Sequence, residues 1–436
     1  MESAMLFQEL SSVSPVDLED DSALLDQLRA GGPMNLPRAR EMMERNGVDG
    51  LVLGDPINVF HTIGHWPFQG RTRPGSPPNI FVLLNRNPDI PPTLVIPRFY
   101  YYFTVVDAGF TTDRPVYLFG DPGDDPRQFF PDRGEAALDA VEIYRHARLE
   151  ASLAQHGQTD GMGKALALAM RDLGLAKGVV GYDYAAIPGW LDRQDLDVTW
   201  RQADDLLRFI RLVKSPLEIS LMRRASAVNI GAAHAMMASA REGMSYRELR
   251  RRFFTEAAAR GGEGATLSVD RISNELADRR LRDGQALMID AVSRTNHYHG
   301  DYGRTLFLGE PSKPLRRAVE AMTVGWEAVR AAVKPGVRYT EVVAIGSEAV
   351  RKAGYKYKIA FTPHSVGLMH TDEPIRWTDG VPGKADLVLE KNMIISVDCP
   401  VMETGLGGSA HLEDLTLITS DGGEQIHPTA GTALIL

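Results

Sequence analysis

The stretch from Ala286 to Leu308 places two carboxylates inside segments that otherwise have the character of buried strand. Ala286–Val292 is apolar apart from Asp290, and Asp301–Leu308 alternates and opens on a second acid, Asp301. Between them, Ser293–Gly300 has the Ser, Asn and Gly of a turn, so the stretch predicts an antiparallel hairpin. A facing pair in a hairpin has Cβ atoms about 5 Å apart. Two acids at that separation repel each other unless positive charge lies between them. An acid in an apolar strand also needs a partner or a metal. At this point a salt bridge for one acid and solvent for the other explains the pair as well as a metal does.

Three downstream residues extend the set. His364 lies in FTPHSVGLMHTDEP, Asp398 in the apolar run MIISVDCP, and Glu413 in GGSAHLEDLTLIT. Four carboxylates and one imidazole, each on or beside a strand-like segment, suit hard to borderline divalent ions such as Mn²⁺, Fe²⁺, Co²⁺ or Zn²⁺. Two such ions held close together can activate a water.

The order Asp290, Asp301 eleven positions later, His364, Asp398 and Glu413 resembles the pita-bread metallopeptidase family, which includes methionine aminopeptidase, aminopeptidase P, prolidase and the metal-free creatinase. The family's S-D-x-T-R-T stands here as Gly300-Asp301-Tyr302-Gly303-Arg304-Thr305, and its H-G-I-G-L-x-x-H-E-x-P as His364 through Pro374. E-P appears as Asp398-Cys399-Pro400 and R-I-E-D as His411-Leu412-Glu413-Asp414. The resemblance implies two divalent metal ions. Asp290 would bind one, Asp301 and Glu413 would bridge both, and His364 and Asp398 would bind the other. It also implies catalytic roles for Asp398, His364 and His370, and substrate contacts for His370, His411 and Arg304. This chain departs from the pattern at three of these positions. Asp398 replaces a glutamate, His411 replaces an arginine, and His370 follows His364 by six positions rather than seven.

The resemblance further implies a creatinase/prolidase-like α/β N-terminal domain, residues 36–205, after an N-terminal extension, residues 1–35. An α+β pita-bread catalytic domain with a curved, mainly antiparallel sheet would follow over residues 206–436. Helix–strand alternation supports the α/β reading. Helices are expected at 37–45 and 161–173, and strands at 49–53, 79–85, 93–103 and 178–183, with an acidic loop over 121–135. Ser215-Pro216 with Glu218 is a helix start. Ile219, Met222, Ala225, Ala233 and Met236 then fall on one helical face. Further helices are expected over 246–260, 315–333 and 340–352.

The chain has 436 residues, enough for two domains, and at 44% hydrophobic and 24% charged it is globular in composition. A net charge of −9 argues against nucleic acid as the main partner. The short basic group Arg351, Lys352, Lys356 and Lys358 reads as a solvated helix end. A single cysteine, Cys399, fits a reducing compartment and reads as a small core hydrophobe. With no signal-like segment and no apolar run of membrane-spanning length, the expectation is a cytoplasmic protein with no membrane partner, and by resemblance a homodimer. His297 and His299 read as solvent-facing turn residues.

Two classes of function follow. One is a hydrolase cutting short peptides next to proline. Its small-molecule variants would be a creatinase-like C–N hydrolase or a lyase of the dimethylsulfoniopropionate type. The other is a non-catalytic binding protein. Retention of all five ligand positions favours an enzyme, and the aspartate at 398 is the feature on the other side.

Overall fold

The computed structural model describes residues 7–13, 16, 20–101, 106, 114–121, 123, 138–274, 276–405, 407–427 and 431–436. The chain forms two compact units, Ser22–Ile210 and Met1–Asp21 with Arg211–Leu436.

The first unit is built on a seven-stranded mixed sheet. Its order is Gln158–Thr159, Val116–Phe119, Thr93–Pro97, Phe81–Asn85, Gly50–Leu53, Lys177–Tyr182, Asp197–Gln202. Alternation along the strands sends Phe81, Leu83 and Val95 to a core with the Met162–Asp172 helix. Val82, Leu94 and Ile96 go to a second core with Val59, Ile63 and Leu149. The strand expected over 93–103 ends at Pro97, and Arg98–Tyr101 turns into a short helix. Residues 102 and 103, and most of the expected acidic loop, lie outside the described residues.

The second unit contains α1 (Pro216–Ala238), α2 (Tyr246–Ala259), α3 (Lys313–Ala332) and α4 (Tyr339–Lys352). Ser215 caps α1 reciprocally with Glu218, and Pro216 occupies the first turn, where no amide is needed. Met222, Ala225, Ala233 and Met236 on α1 are fully buried.

Besides a separate hairpin of Ile375–Thr378 with Val381–Lys384, its strands are β1 (Phe7–Glu9), β2 (Glu263–Val269), β3 (Ala286–Thr295), β4 (Tyr298–Phe307), β5 (Thr362–Ser365), β6 (Ile394–Asp398), β7 (Glu413–Asp414), β8 (Thr416–Ile418), β9 (Gly423–Gln425) and β10 (Ala433–Ile435). One sheet runs β1-β10-β4-β3-β2, with β7 added alongside β4. The other runs β5-β6-β8-β9. Pairings are antiparallel except those of β10 with β1 and β4. Helices α1 and α2 pack Met236, Leu249 and Phe253 against Leu267, Ile289, Ala291 and Leu306 of the first sheet. This is the α+β architecture expected for the pita-bread fold.

The central hairpin is longer than its composition suggests. β3 and β4 stay in register from Ala286↔Phe307 to Thr295↔Tyr298, leaving only Asn296 and His297 as the turn. Both have positive φ, 48° and 69°, as a two-residue type I′ connection requires. Gly300, which reads as a turn residue, is instead within β4. A Cβ there would lie 2.6 Å from the Ala225 carbonyl oxygen of α1, so the glycine lets helix and strand approach closely.

Candidate metal centre

Register places the carboxylates. Ser268, Asp290, Gly303 and Glu413 form one row across β2, β3, β4 and β7. Asp301 stands in the next row, opposite Val292. The two hairpin acids are therefore diagonal neighbours on one face, about 7–8 Å apart at Cβ rather than directly opposed. The other sheet contributes the rest. His364 on β5 faces Ser396 on β6, and Asp398 is two residues along, on the same face.

The two groups meet around Glu413. His364 Nε2 lies 3.3 Å from Glu413 Oε1, 3.5 Å from Asp398 Oδ2 and 3.6 Å from Asp301 Oδ2. His411 Nε2 lies 3.1 Å from Glu413 Oε2 and 3.8 Å from Asp398 Oδ1. Ser396 Oγ donates to Glu413 Oε1 at 2.6 Å. His370, despite its altered spacing, brings Nε2 to 3.2 Å from Asp301 Oδ2. Three triplets each hold their possible ligand atoms within 4.8 Å of one another: Asp290, His411 and Glu413; His364, Asp398 and Glu413; Asp301, His364 and His370.

The electrostatics of this cluster are those of a site short of positive charge. Burial and repulsion from Glu413 push the Asp301 carboxyl well above the usual carboxylate range. The same causes raise Asp290, and raise Asp398 to about 7. Burial disfavours charge on the two imidazoles, but the contact with Glu413 and the surrounding carboxylates outweigh it, raising both His364 and His411 to about 9. Glu413 carries the same burial penalty, yet contacts with both imidazoles hold it well below its usual value. Asp301 is 1% exposed, and neither of its oxygens accepts a hydrogen bond from a described residue. A buried carboxylate in that state, among oxygen and imidazole donors, fits divalent cations. Asp290, Asp301, His364, Asp398 and Glu413 are the residues that would hold them.

A pH dependence follows for the metal-free protein. His364 and His411 bind protons more tightly folded than unfolded. Their contribution is therefore complete below about pH 6.5 and fades as pH rises toward 9. Asp398 acts with the same sign over a window ending near 7. Chelator-treated protein should thus lose melting temperature, by about 5 °C or more, between pH 6 and 9. Ions replacing those protons should flatten the profile in metal-loaded protein. A metal-free profile that rises over this range would contradict the electrostatic reading.

Arg304 is not brought to the cluster. It pairs with Ile289 on the other face of the hairpin and is 1% exposed. Its guanidinium bonds Asp414 through both oxygens, at 2.9 and 3.0 Å, and also the carbonyls of Gly303, Glu413 and Gly431. It thereby fixes β7, which carries Glu413. Because β4 continues through Tyr298–Gly300, His299 shares the face of Asp301 and is buried. Its Nδ1 is 3.1 Å from the Gly367 carbonyl, contrary to the solvent-facing expectation. His297 stays in the turn, half-buried. Cys399 is buried, and its thiol is pushed up by burial. Sequence reasoning missed Ser396 and Gly303. Period-two spacing from Asp398 and from Asp301 was the signal for both.

Residues 220–420 match the model of metallopeptidase family M24. The chain is 26% identical over 240 residues to an Xaa-Pro dipeptidase of Pyrococcus furiosus, an alignment covering 53% of this chain and 67% of that protein. It is 27% identical over 240 residues to a probable dipeptidase, PepE, of Mycobacterium tuberculosis, covering 52% and 61%. Among solved structures, a dipeptidase from Pyrococcus horikoshii superposes with a TM-score of 0.65 at 18% identity, covering 92% of this chain and all of that one. An X-Pro aminopeptidase from Thermotoga maritima superposes at 0.66 and 16% identity, covering 90% and 99%. These superpositions bear on the fold alone, and they extend over both units. The family match spans the whole run from Asp290 to Glu413, so the C-terminal unit resembles metallopeptidase family M24 over the residues that form the cluster.

Proposed function

We propose that the protein is a dinuclear-metal-dependent hydrolase of short peptides with proline after the scissile amide. The observation that carries this reading is the convergence of Asp290, Asp301, His364, Asp398 and Glu413 on one cluster, in the order the family uses. The names of the relatives, Xaa-Pro dipeptidase and probable dipeptidase, support the substrate class. When bound, two divalent ions supply Lewis acidity and favour a nucleophilic water.

The chain's own residues do the rest. Asp398 is 36% exposed while Asp301 and Glu413 are almost fully buried, so of these three carboxylates Asp398 is the one best placed to reach an attacking water. His370 is 44% exposed beside Asp301, and in this reading its imidazole orients the substrate carbonyl. Glu413 holds His364 and His411 in place from its two oxygens. We read the working protein as a cytoplasmic homodimer using Mn²⁺, Fe²⁺, Co²⁺ or Zn²⁺. Its lone buried cysteine supports a reducing compartment.

The test is turnover of a panel of Xaa-Pro dipeptides and tripeptides by protein loaded in turn with each of the four ions. Hydrolysis of Xaa-Pro but not Xaa-Ala dipeptides is expected. Metal-loaded protein inactive on the whole panel would move the assignment to a small-molecule C–N hydrolase or a sulfonium lyase. The shortened Asp398 and the imidazole at 411 are the features that favour that second reading.

A further inference from the structure

We propose that His411 is itself a metal ligand, binding the same ion as Asp290, so that each ion of the pair has its own imidazole. The inference rests on the dinuclear reading above. It changes the role of His411 from one facing substrate to one facing metal.

Three observations carry it. First, His411 is 2% exposed, so a substrate would have to enter the protein interior to meet it. Second, its Nε2 points into the cluster, with an approach to the acids like that of His364. It lies 3.1 Å from Glu413 Oε2 and 3.8 Å from Asp398 Oδ1, where His364 Nε2 lies 3.3 Å from Oε1 and 3.5 Å from Oδ2 of the same two residues. Glu413 thus presents one oxygen to each imidazole. Nδ1 of His411 has no hydrogen-bond partner among the described residues, and Nδ1 of His364 has none either, so the two rings are alike in this respect too. Third, the neighbouring strand is shaped for this ring. A Cβ at Gly303 would fall 2.3 Å from His411 Cδ2 and 2.6 Å from its Nε2. Any side chain at 303 would expel the imidazole from its position between Asp290 and Glu413. Glycine at 303 and histidine at 411 are two halves of one arrangement, the first making the space that the second fills.

The donor sets that result are Asp290, His411 and Glu413 on one side and His364, Asp398 and Glu413 on the other, with Asp301 beside His364 and His370. A second imidazole in place of a further oxygen donor shifts preference from Mn²⁺ toward Zn²⁺, Co²⁺ or Fe²⁺.

The experiment measures metal rather than turnover. Wild-type protein should hold two zinc ions per chain by elemental analysis. His411→Ala should weaken one of them by more than about 100-fold, the upper end of what losing an outer-shell partner costs. After dialysis the variant should retain one. Gly303→Ala keeps every ligand residue but crowds the His411 ring and, at 2.7 Å, the Cβ of Glu413, and should reproduce the loss. X-ray absorption of the zinc-loaded His370→Ala variant, in which His411 is intact, should find two imidazoles per ion pair. One imidazole per pair, or a folded His411→Ala protein holding two ions at wild-type affinity, overturns the assignment of His411 and leaves the five-residue centre standing. Wild-type protein that binds no zinc would instead sink the dinuclear reading itself.

Discussion

Asp301→Ala should yield a folded protein that holds no ion pair and whose turnover falls by at least about 1,000-fold, the scale of losing a major electrostatic stabiliser. The position is central to the cluster. Asp301 is buried, lies with His364 and His370, and accepts no hydrogen bond at either oxygen from a described residue. Metal-free wild-type protein bears the cost of that carboxylate, which burial and Glu413 force far above its usual pKa. Removing it relieves repulsion, so the metal-free variant should melt no lower than metal-free wild type. The variant should lose the stabilisation that ions give wild type, about 2.7 kcal/mol at an ion concentration one hundred times the dissociation constant. Calorimetry with and without added ion checks both halves. A variant that melts well below metal-free wild type would mean that Asp301 supports the fold rather than the ions.

The second large effect is expected at Asp398. Asp398→Asn keeps the shape of the side chain but cannot take a proton, and kcat should fall about 100- to 10,000-fold. Wild-type metal content and near wild-type turnover in this variant would remove Asp398 as the base. The length of the side chain matters separately. A glutamate would reach about 1 Å further, and a displacement of that size can cost roughly 100-fold in rate. With Asp398 oxygens already 3.5 Å from His364 Nε2 and 3.8 Å from His411 Nε2, there is little room for the extra methylene, so Asp398→Glu should also lower activity.

Much of the candidate site is legible in the amino-acid sequence, because residues suited to binding metal leave a one-dimensional trace. Acids within apolar strand runs are unusual, and Asp290, Asp301, Asp398 and Glu413 are recognisable as an ordered set with His364, though not singly. The pairing between strands leaves no such trace. SRTNHYHG reads as a loop, since serine, asparagine and glycine are common in turns. Yet only Asn296 and His297 adopt left-handed conformations there, and Gly300 serves the approach of α1. Reading those residues as a loop also conceals His299 and the diagonal relation of Asp290 and Asp301. Arg304 illustrates a second limit. Its neighbours in sequence are at the site, but strand alternation sends its guanidinium to the opposite face and to Asp414. The partnership of Gly303 with His411 spans more than a hundred residues and appears only once β4 and β7 lie side by side.

The two-residue strand β7 has a mechanical consequence. It pairs with β4 in one sheet and runs, after a single residue, into β8 of the other. Glu413 therefore stands at the seam. Asp290 and Asp301 belong to the first sheet, and His364 and Asp398 to the second. Ions gripped by both sets would act as rivets through two plates. Occupancy of the centre and the alignment of the sheets would then become a single equilibrium, and the proposed cofactor would double as a fastener for the scaffold that presents it.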